Sequence, residues 1–166
     1  MDFAFINHLS PQLATFFLAM IPVTELRASI PIALSNFDLS LQQVFIWSVL
    51  GNFIPIIVVL FFIGPTSQWL SRKWKLADRF LQWWFAKVKK RFHGKYNAWG
   101  KIALLIFVAI PLPGTGAWTG SIAAWLLNID KKDAFAYIAL GVILAGVLVS
   151  SLTLGLLSFF NGHEII

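Results

Sequence analysis

The sequence predicts an all-α integral membrane protein built from two inverted repeats. Each repeat is expected to contain a re-entrant helical hairpin and one transmembrane helix. Of the 166 residues, 58% are hydrophobic and only 12% are charged, which lies outside the range of soluble globular domains. The apolar residues form four long runs, and prolines interrupt the first and third. Ten of the thirteen lysines and arginines lie between Arg72 and Lys101.

The first repeat, residues 11–64, opens with a hydrophobic run that prolines interrupt. Pro11 follows a serine, a pair typical of a helix start. Pro22 is expected to break this helix, and a second short helix is expected over about Thr24–Leu34. Pro31 is a further hairpin-breaking position. Each helix would cover about half of the bilayer core.

An intact apolar run from Leu41 to Ile63 follows a polar loop at residues 35–40 that has no lysine or arginine. Its length is about that of a transmembrane helix. Gly64-Pro65 is expected to end it. Asn52, near the middle of the run, is a candidate transport residue, and a bond to a neighbouring helix is the alternative role.

A basic amphipathic helix over residues 66–100 is expected to join the repeats. Its apolar residues recur at spacings of three and four, and five of the eight tryptophans lie here. Such helices lie on membrane interfaces, so anionic phospholipid is the expected partner at Arg72–Arg91. A charged cytoplasmic linker is the alternative. The net charge of +6 is then a topology signal and does not predict nucleic-acid binding.

The second repeat, residues 101–160, shows the same order of elements. Pro111 and Pro113 interrupt its first apolar run, and an intact run follows a charged loop. A shift of 90 residues aligns Phe45–Gly51 with Phe135–Gly141, with phenylalanine, leucine and glycine in register. The pattern predicts an internal duplication. Paired interrupted segments also mark the binding sites of transporters.

The basic residues favour re-entrant hairpins over four plain spans. If residues 66–100 are cytoplasmic and both broken runs return to the side they entered, Lys131 and Lys132 are cytoplasmic too. Four plain spans would place these lysines outside. The hairpin arrangement makes the two repeats inverted with respect to the membrane. The expected location is the inner (cytoplasmic) membrane. The hairpin tips would meet near the midplane, with helix N-termini at about Thr24 and Thr115 directed toward the centre.

Two charges lie within the first interrupted run. An arginine at a helix centre costs roughly 2.5–3.5 kcal/mol on insertion scales, so such residues are candidates for function. Glu25 is a candidate proton carrier, because burial favours the neutral form of a carboxylate. Arg27 could hold a phosphate or another anion through its forked donors. A structural ion pair between the two residues is the alternative.

The second interruption carries no charge. Gly114, Thr115 and Gly116 could present backbone donors to a ligand, or could serve only as a flexible turn. Thr24 is the corresponding candidate at the first interruption.

Residues 21–31 and 110–120 resemble the small multi-drug export protein family, and the resemblance covers most of the chain. That family is similar to the DedA (VTT-domain) superfamily, which implies paired re-entrant hairpins and the movement of phosphorylated lipids such as undecaprenyl phosphate. Glu25 and Arg27 match charged positions of the hairpin tip. DedA-like proteins also have an arginine in the second hairpin, where this sequence has Gly114-Thr115-Gly116. Only one cation is therefore left to hold a phosphate.

Three functions follow as expectations. The first is a transporter or flippase for an amphiphilic lipid-phosphate (polyprenyl-phosphate-like) substrate, with proton coupling through Glu25. The alternative is a small multidrug efflux protein for cations, and the second alternative is a non-transporting membrane scaffold. A homo-oligomer is expected, because two spans and two hairpins make a thin wall around a site. Cysteine is absent, and no metal-ligand spacing or nucleophile–base arrangement occurs, so no enzyme activity, metal or cofactor is expected.

Overall fold

The computed structural model describes residues 9–92, 101–112 and 114–161, which form seven helices and no strand. The all-α class is therefore confirmed. The predicted breaking position Pro113 and residues 93–100 of the predicted linker helix lie outside the described residues. The helices are α1 (Pro11–Met20), α2 (Glu25–Asn36), α3 (Leu41–Lys73), α4 (Lys75–Phe92), α5 (Lys101–Ala109), α6 (Ala117–Leu126) and α7 (Lys131–Asn161).

Two of these helices are long and apolar enough to cross a membrane. The qualifying segments are Leu41–Ser67 in α3 and Lys131–Phe159 in α7. Only 44% and 39% of their most apolar windows are buried within the protein. Most of this apolar surface therefore faces outward, as expected for helices in contact with lipid.

The chain divides into two compact units. The first comprises Met1–Phe53 and Ile143–Ile166, and the second comprises Ile54–Val142. Helices α3 and α7 each have one end in the first unit and the other end in the second.

In the first unit, α1 and α2 pack against each other as a hairpin. The hydroxyl of Ser10 caps α1 and Pro11 is at the first helical position, as the sequence predicts. Ile21 is extended, which is the conformation that the following Pro22 imposes. The helices have 10 and 12 residues, or about 15–18 Å, half of a bilayer core of about 30 Å.

Helix α3 packs against both helices of this hairpin. Gly51 lies against α1, where an added Cβ would overlap the carbonyl oxygen of Phe16 and lie 2.8 Å from Cβ of Ala19. On α2, the hydroxyl of Ser29 donates a 2.8 Å hydrogen bond to the hydroxyl of Ser48 on α3. Glycine at position 51 thus permits a close approach of two helix backbones.

The second unit contains the hairpin of α5 and α6, which have 9 and 10 residues. Asn128, in the turn that follows α6, has a left-handed conformation with φ of 52°. Gly141 of α7 lies against α5, where an added Cβ would come within 2.9 Å of the carbonyl oxygen of Leu105 and 2.8 Å of Cβ of Val108.

The same helix contact therefore occurs in both units. Gly51 and Gly141 are 90 residues apart, and their partners Phe16 and Leu105 are 89 residues apart. Ala19 and Val108 show the same separation of 89 residues. This recurrence agrees with an internal duplication. The inverted arrangement of the two repeats stays a prediction.

Helix α4 packs against α6 in the second unit. The rings of Phe85 and Trp125 lie 5.2 Å apart, and Leu81 is buried. An ion pair between Lys101 and Asp133 joins the start of α5 to the start of α7. Because α6 ends at Leu126 and a short loop leads from it to the start of α7, the α5–α6 hairpin begins and ends at the same end of this unit.

Three predicted boundaries were wrong. Gly64-Pro65 does not end the third helix, because α3 continues to Lys73. Proline removes one helical hydrogen bond, but the glycine before it has no Cβ to clash with the ring, so the helix passes through. The basic helix accordingly begins at Lys75, after a break at Trp74, and not at residue 66.

Pro31 was also expected to break the hairpin, but it lies inside α2. Its ring removes one hydrogen-bond donor to the carbonyl of Arg27, and this loss is tolerated in the first two turns of a helix that is packed on both α1 and α3. Pro22 and Pro111 do lie in the turns between short helices.

Candidate functional site

Glu25, the first residue of α2, is a buried acid at the tip of the first hairpin. Its side chain is only 4% exposed. An ionised carboxylate is costly to bury unless it is paired or takes up a proton. Glu25 also has a φ of 46°, in the left-handed region that costs a residue with a side chain about 1–3 kcal/mol. Strain of this kind concentrates at functional sites.

The tip of the second hairpin also contains residues with positive φ, but these residues are glycines and not acids. Gly116 immediately precedes α6 and has a φ of 116°, and Gly114 has a φ of 76°. Glycine adopts these conformations at no steric cost. The first hairpin has a glutamate with a positive φ at its tip, where the second has glycines. A functional role for the Glu25 carboxylate stays a prediction.

Arg27 lies two residues further along α2 and is partly exposed. The carboxylate of Glu25 interacts electrostatically with its guanidinium. The first hairpin therefore carries an acid that is buried and a base that reaches the surface. In the second hairpin, no described residue from 102 to 129 is charged.

Three polar side chains of α2 and α3 are also buried in the first unit. Ser29, Ser48 and Asn52 are all 0% exposed. Asn52 donates from Nδ2 to the carbonyl oxygen of Ser48 at 3.2 Å. Asn52 was among the predicted site residues, whereas Ser29 and Ser48 were missed. Their spacing could have indicated them. Glu25 and Ser29 are four residues apart and share a helix face, and the same holds for Ser48 and Asn52.

The threonines at the two tips have corresponding roles in the turns. The hydroxyl of Thr24 donates to the carbonyl of Leu18 at 2.5 Å, and that of Thr115 donates to Ile110 and Leu112 at 2.8 and 2.7 Å. These bonds satisfy carbonyls at the end of the preceding helix. Each hydroxyl proton is thus used within its turn. A role for Thr24, Thr115, Gly114 or Gly116 in substrate binding stays a prediction.

The hairpin tips expose apolar side chains. Val23 is 92% exposed in the first unit, and Leu112 is 57% exposed in the second. Turns at a water surface favour polar residues. The chemistry of both tips therefore suits an apolar environment or a partner.

A comparison with protein families identifies one matching family model. The model, described as "Putative small multi-drug export protein", matches residues 25–148. The match begins at the buried acid of the first hairpin and ends within α7. The comparisons with curated proteins and with solved structures found no match.

Proposed function

Because the chain belongs to the small multi-drug export protein family, we propose that it is a membrane transporter that exports small amphiphilic cations in exchange for protons. In this proposal Glu25 binds a proton and the substrate cation alternately. The family description favours this cation export over the lipid-phosphate transport that the sequence first suggested. Membrane location and a transport role rest on the family and on the two long apolar helices.

The observation that carries the proposal is the burial of Glu25. A carboxylate that is 4% exposed cannot rely on water to stabilise its charge. The partly exposed guanidinium of Arg27 offsets part of this cost, and a bound proton or substrate cation would offset more of it. Proton and cation therefore compete for one group, which is the requirement for exchange. A cation that enters the site must displace the proton, and a proton that returns must release the cation.

Arg27 favours a second candidate, the movement of a lipid phosphate. Its guanidinium is partly exposed at the same hairpin and matches the geometry of a phosphate group. It is the single cation on the described part of either hairpin between residues 11 and 36 or between residues 102 and 126. Recognition of a doubly charged phosphate by one arginine would be weak, so we place this candidate second.

We also propose that both hairpins are re-entrant and that the two repeats are inverted. Helices of 9 to 12 residues reach only about half of a bilayer core. The Lys101–Asp133 ion pair supports a hairpin that leaves the membrane where it entered. The apolar tip residues suit membrane depth. In this topology α4 is cytoplasmic.

Helix α4 has the properties of a helix that lies on an anionic leaflet. Phe85 contacts Trp125 of α6 and Leu81 is buried, whereas Leu76, Phe80 and Trp83 recur on another side and are more than half exposed. The ammonium group of Lys87 lies 4.9 Å from the ring of Trp83. An exposed aromatic stripe with lysines beside it matches the headgroup layer of anionic lipid. We propose anionic phospholipid as the partner of this face.

Transport assays in proteoliposomes test the function. The vesicles carry a pH gradient and contain either a lipophilic cationic dye or a fluorescent polyprenyl phosphate. Wild-type protein should move the dye, and Glu25→Gln should abolish this movement. Asp38→Asn is the matched control, because Asp38 is an exposed acid of the same unit, and it should leave transport unchanged.

The other outcomes are equally informative. Movement of the polyprenyl phosphate alone, with loss of activity in Arg27→Lys, would establish the second candidate and refute cation export. Transport of neither compound would refute both candidates and favour a non-transporting scaffold. Dye transport that survives in Glu25→Gln would refute the role of the buried acid.

A further inference from the structure

Helices α2 and α3 run antiparallel, because only residues 37–40 connect them. The hydrogen bond between Ser29 and Ser48 fixes their register. One turn from Ser29 toward the hairpin tip is Glu25, and one turn from Ser48 in the same direction is Asn52. The register therefore places Glu25 and Asn52 at the same level of the two helices, about 6 Å beyond the serine pair.

Asn52 has a polar atom whose bonding capacity is unused. The residue is 0% exposed, and its Nδ2 donates to the carbonyl oxygen of Ser48. Its Oδ1 is buried and accepts no hydrogen bond. The bond from Nδ2 also fixes the orientation of the amide, since a reversed amide would place two oxygens against each other. A buried acceptor without a donor is destabilising.

We propose that Oδ1 of Asn52 accepts a hydrogen bond from Glu25 when Glu25 is protonated. The inference rests on the proposed function, because it assigns Asn52 as the positioning residue for the transported proton. An ionised carboxylate is only an acceptor and repels Oδ1, whereas a protonated carboxyl is a donor. Uptake of a proton from water forms the O–H bond of the carboxyl group, which then donates to Oδ1. Return of the proton to water breaks both the O–H bond and the hydrogen bond, and no other covalent bond changes.

The remaining charges near Glu25 act in the opposite direction. The guanidinium of Arg27 favours the ionised form of the carboxylate. Asp38, in the connection after α2, is exposed at the far end of that helix. No ionisable side chain lies on the described segments that pack around α2 in this unit, which are α1 and residues 41–53 of α3. Residues 143–161 of α7, in the same unit, have none either. Asn52 and Arg27 thus stabilise the two alternate states of one acid.

Infrared spectroscopy of the protein in lipid nanodiscs tests the inference. The carbonyl band of the protonated Glu25 carboxyl is followed against pH and assigned by its loss in Glu25→Gln. Asn52→Leu should weaken proton binding about tenfold, the effect of one hydrogen bond, so the midpoint should fall to lower pH. Thr15→Ala is the control, because it removes a buried hydroxyl on α1 of the same unit and keeps both the serine pair and the carbonyl that holds Asn52. Its midpoint should stay close to that of wild type.

An unchanged midpoint in Asn52→Leu would overturn the inference. A measurement on protein with a native Asn52 covers the case in which this variant does not fold. With ¹³C-labelled asparagine, one asparagine carbonyl band should shift at the same pH as the Glu25 band, and the shift should vanish in Glu25→Gln. Absence of that shift would also overturn the inference. Neither readout requires transport, so the inference can fail while cation export stands, and the reverse also holds.

Discussion

Replacing Gly51 with alanine tests the close contact between α1 and α3. The added Cβ would overlap the carbonyl oxygen of Phe16 and lie 2.8 Å from Cβ of Ala19. One neighbour is backbone and the other is a side chain that cannot rotate away, so the helices must separate. Overpacking costs about 1–3 kcal/mol, and the higher helix propensity of alanine returns about 1 kcal/mol. The net expectation is a destabilisation of about 0–2 kcal/mol relative to wild type, and of about 1–3 kcal/mol relative to a glycine-to-alanine change that meets no neighbour.

Thermal unfolding in detergent measures this cost. A loss of 1 kcal/mol lowers the Tm by about 2–4 °C in a protein of this size. Gly141→Ala should behave like Gly51→Ala, because the carbonyl of Leu105 and Cβ of Val108 restrict it in the same way. Gly155→Ala is the matched control, since no atom lies within 4 Å of its added Cβ. The packing argument is refuted if Gly51→Ala is as stable as Gly155→Ala.

Three further predictions concern topology, α4 and the ion pair. The chain has no cysteine, so each single-cysteine variant reports one position. Lys132→Cys should be labelled from the cytoplasm and Asp38→Cys from outside. Labelling of both from one side would contradict the inverted hairpins. A spin label at Phe80→Cys should be more accessible to oxygen than to a polar relaxation agent in anionic bilayers, and a label at Gln82→Cys, on the other side of α4, should show the reverse. Equal accessibility of the two labels to each agent would exclude an interfacial helix. The Lys101–Asp133 pair is 42% exposed on both sides, so a double-mutant cycle should give no more than about 1 kcal/mol, and a coupling well above this would show a buried pair.

Local rules predicted much of the fold. The start of α1 follows from a serine before Pro11, and the turns between the short helices follow from Pro22 and Pro111, because proline restricts its neighbours directly. Composition predicted the two long helices. The same local rule failed at Pro31, where packing against neighbouring helices outweighs the loss of one hydrogen bond. It also failed at Gly64-Pro65, where the glycine has no Cβ to clash with the proline ring.

The candidate site was predictable only in part. Glu25 and Arg27 are conspicuous, because charge is expensive within an apolar run. The relation between Glu25 and Asn52 depends on the length of the connection between α2 and α3 and on a hydrogen bond between two serines, neither of which the sequence pattern specifies. The preference for a lipid phosphate came from Arg27 and from the resemblance to the DedA superfamily, whereas the family match supports export. Homo-oligomer formation stays a prediction.

The most direct test of the proposal that Glu25 exchanges a proton for a cation is substrate-induced proton release. Purified protein in weakly buffered detergent is mixed with a lipophilic cation, and a pH-sensitive dye records the protons that appear. Wild-type protein and Asp38→Asn should release protons in proportion to cation binding, and Glu25→Gln should release none. Proton release from Glu25→Gln equal to that from wild type would contradict the proposal.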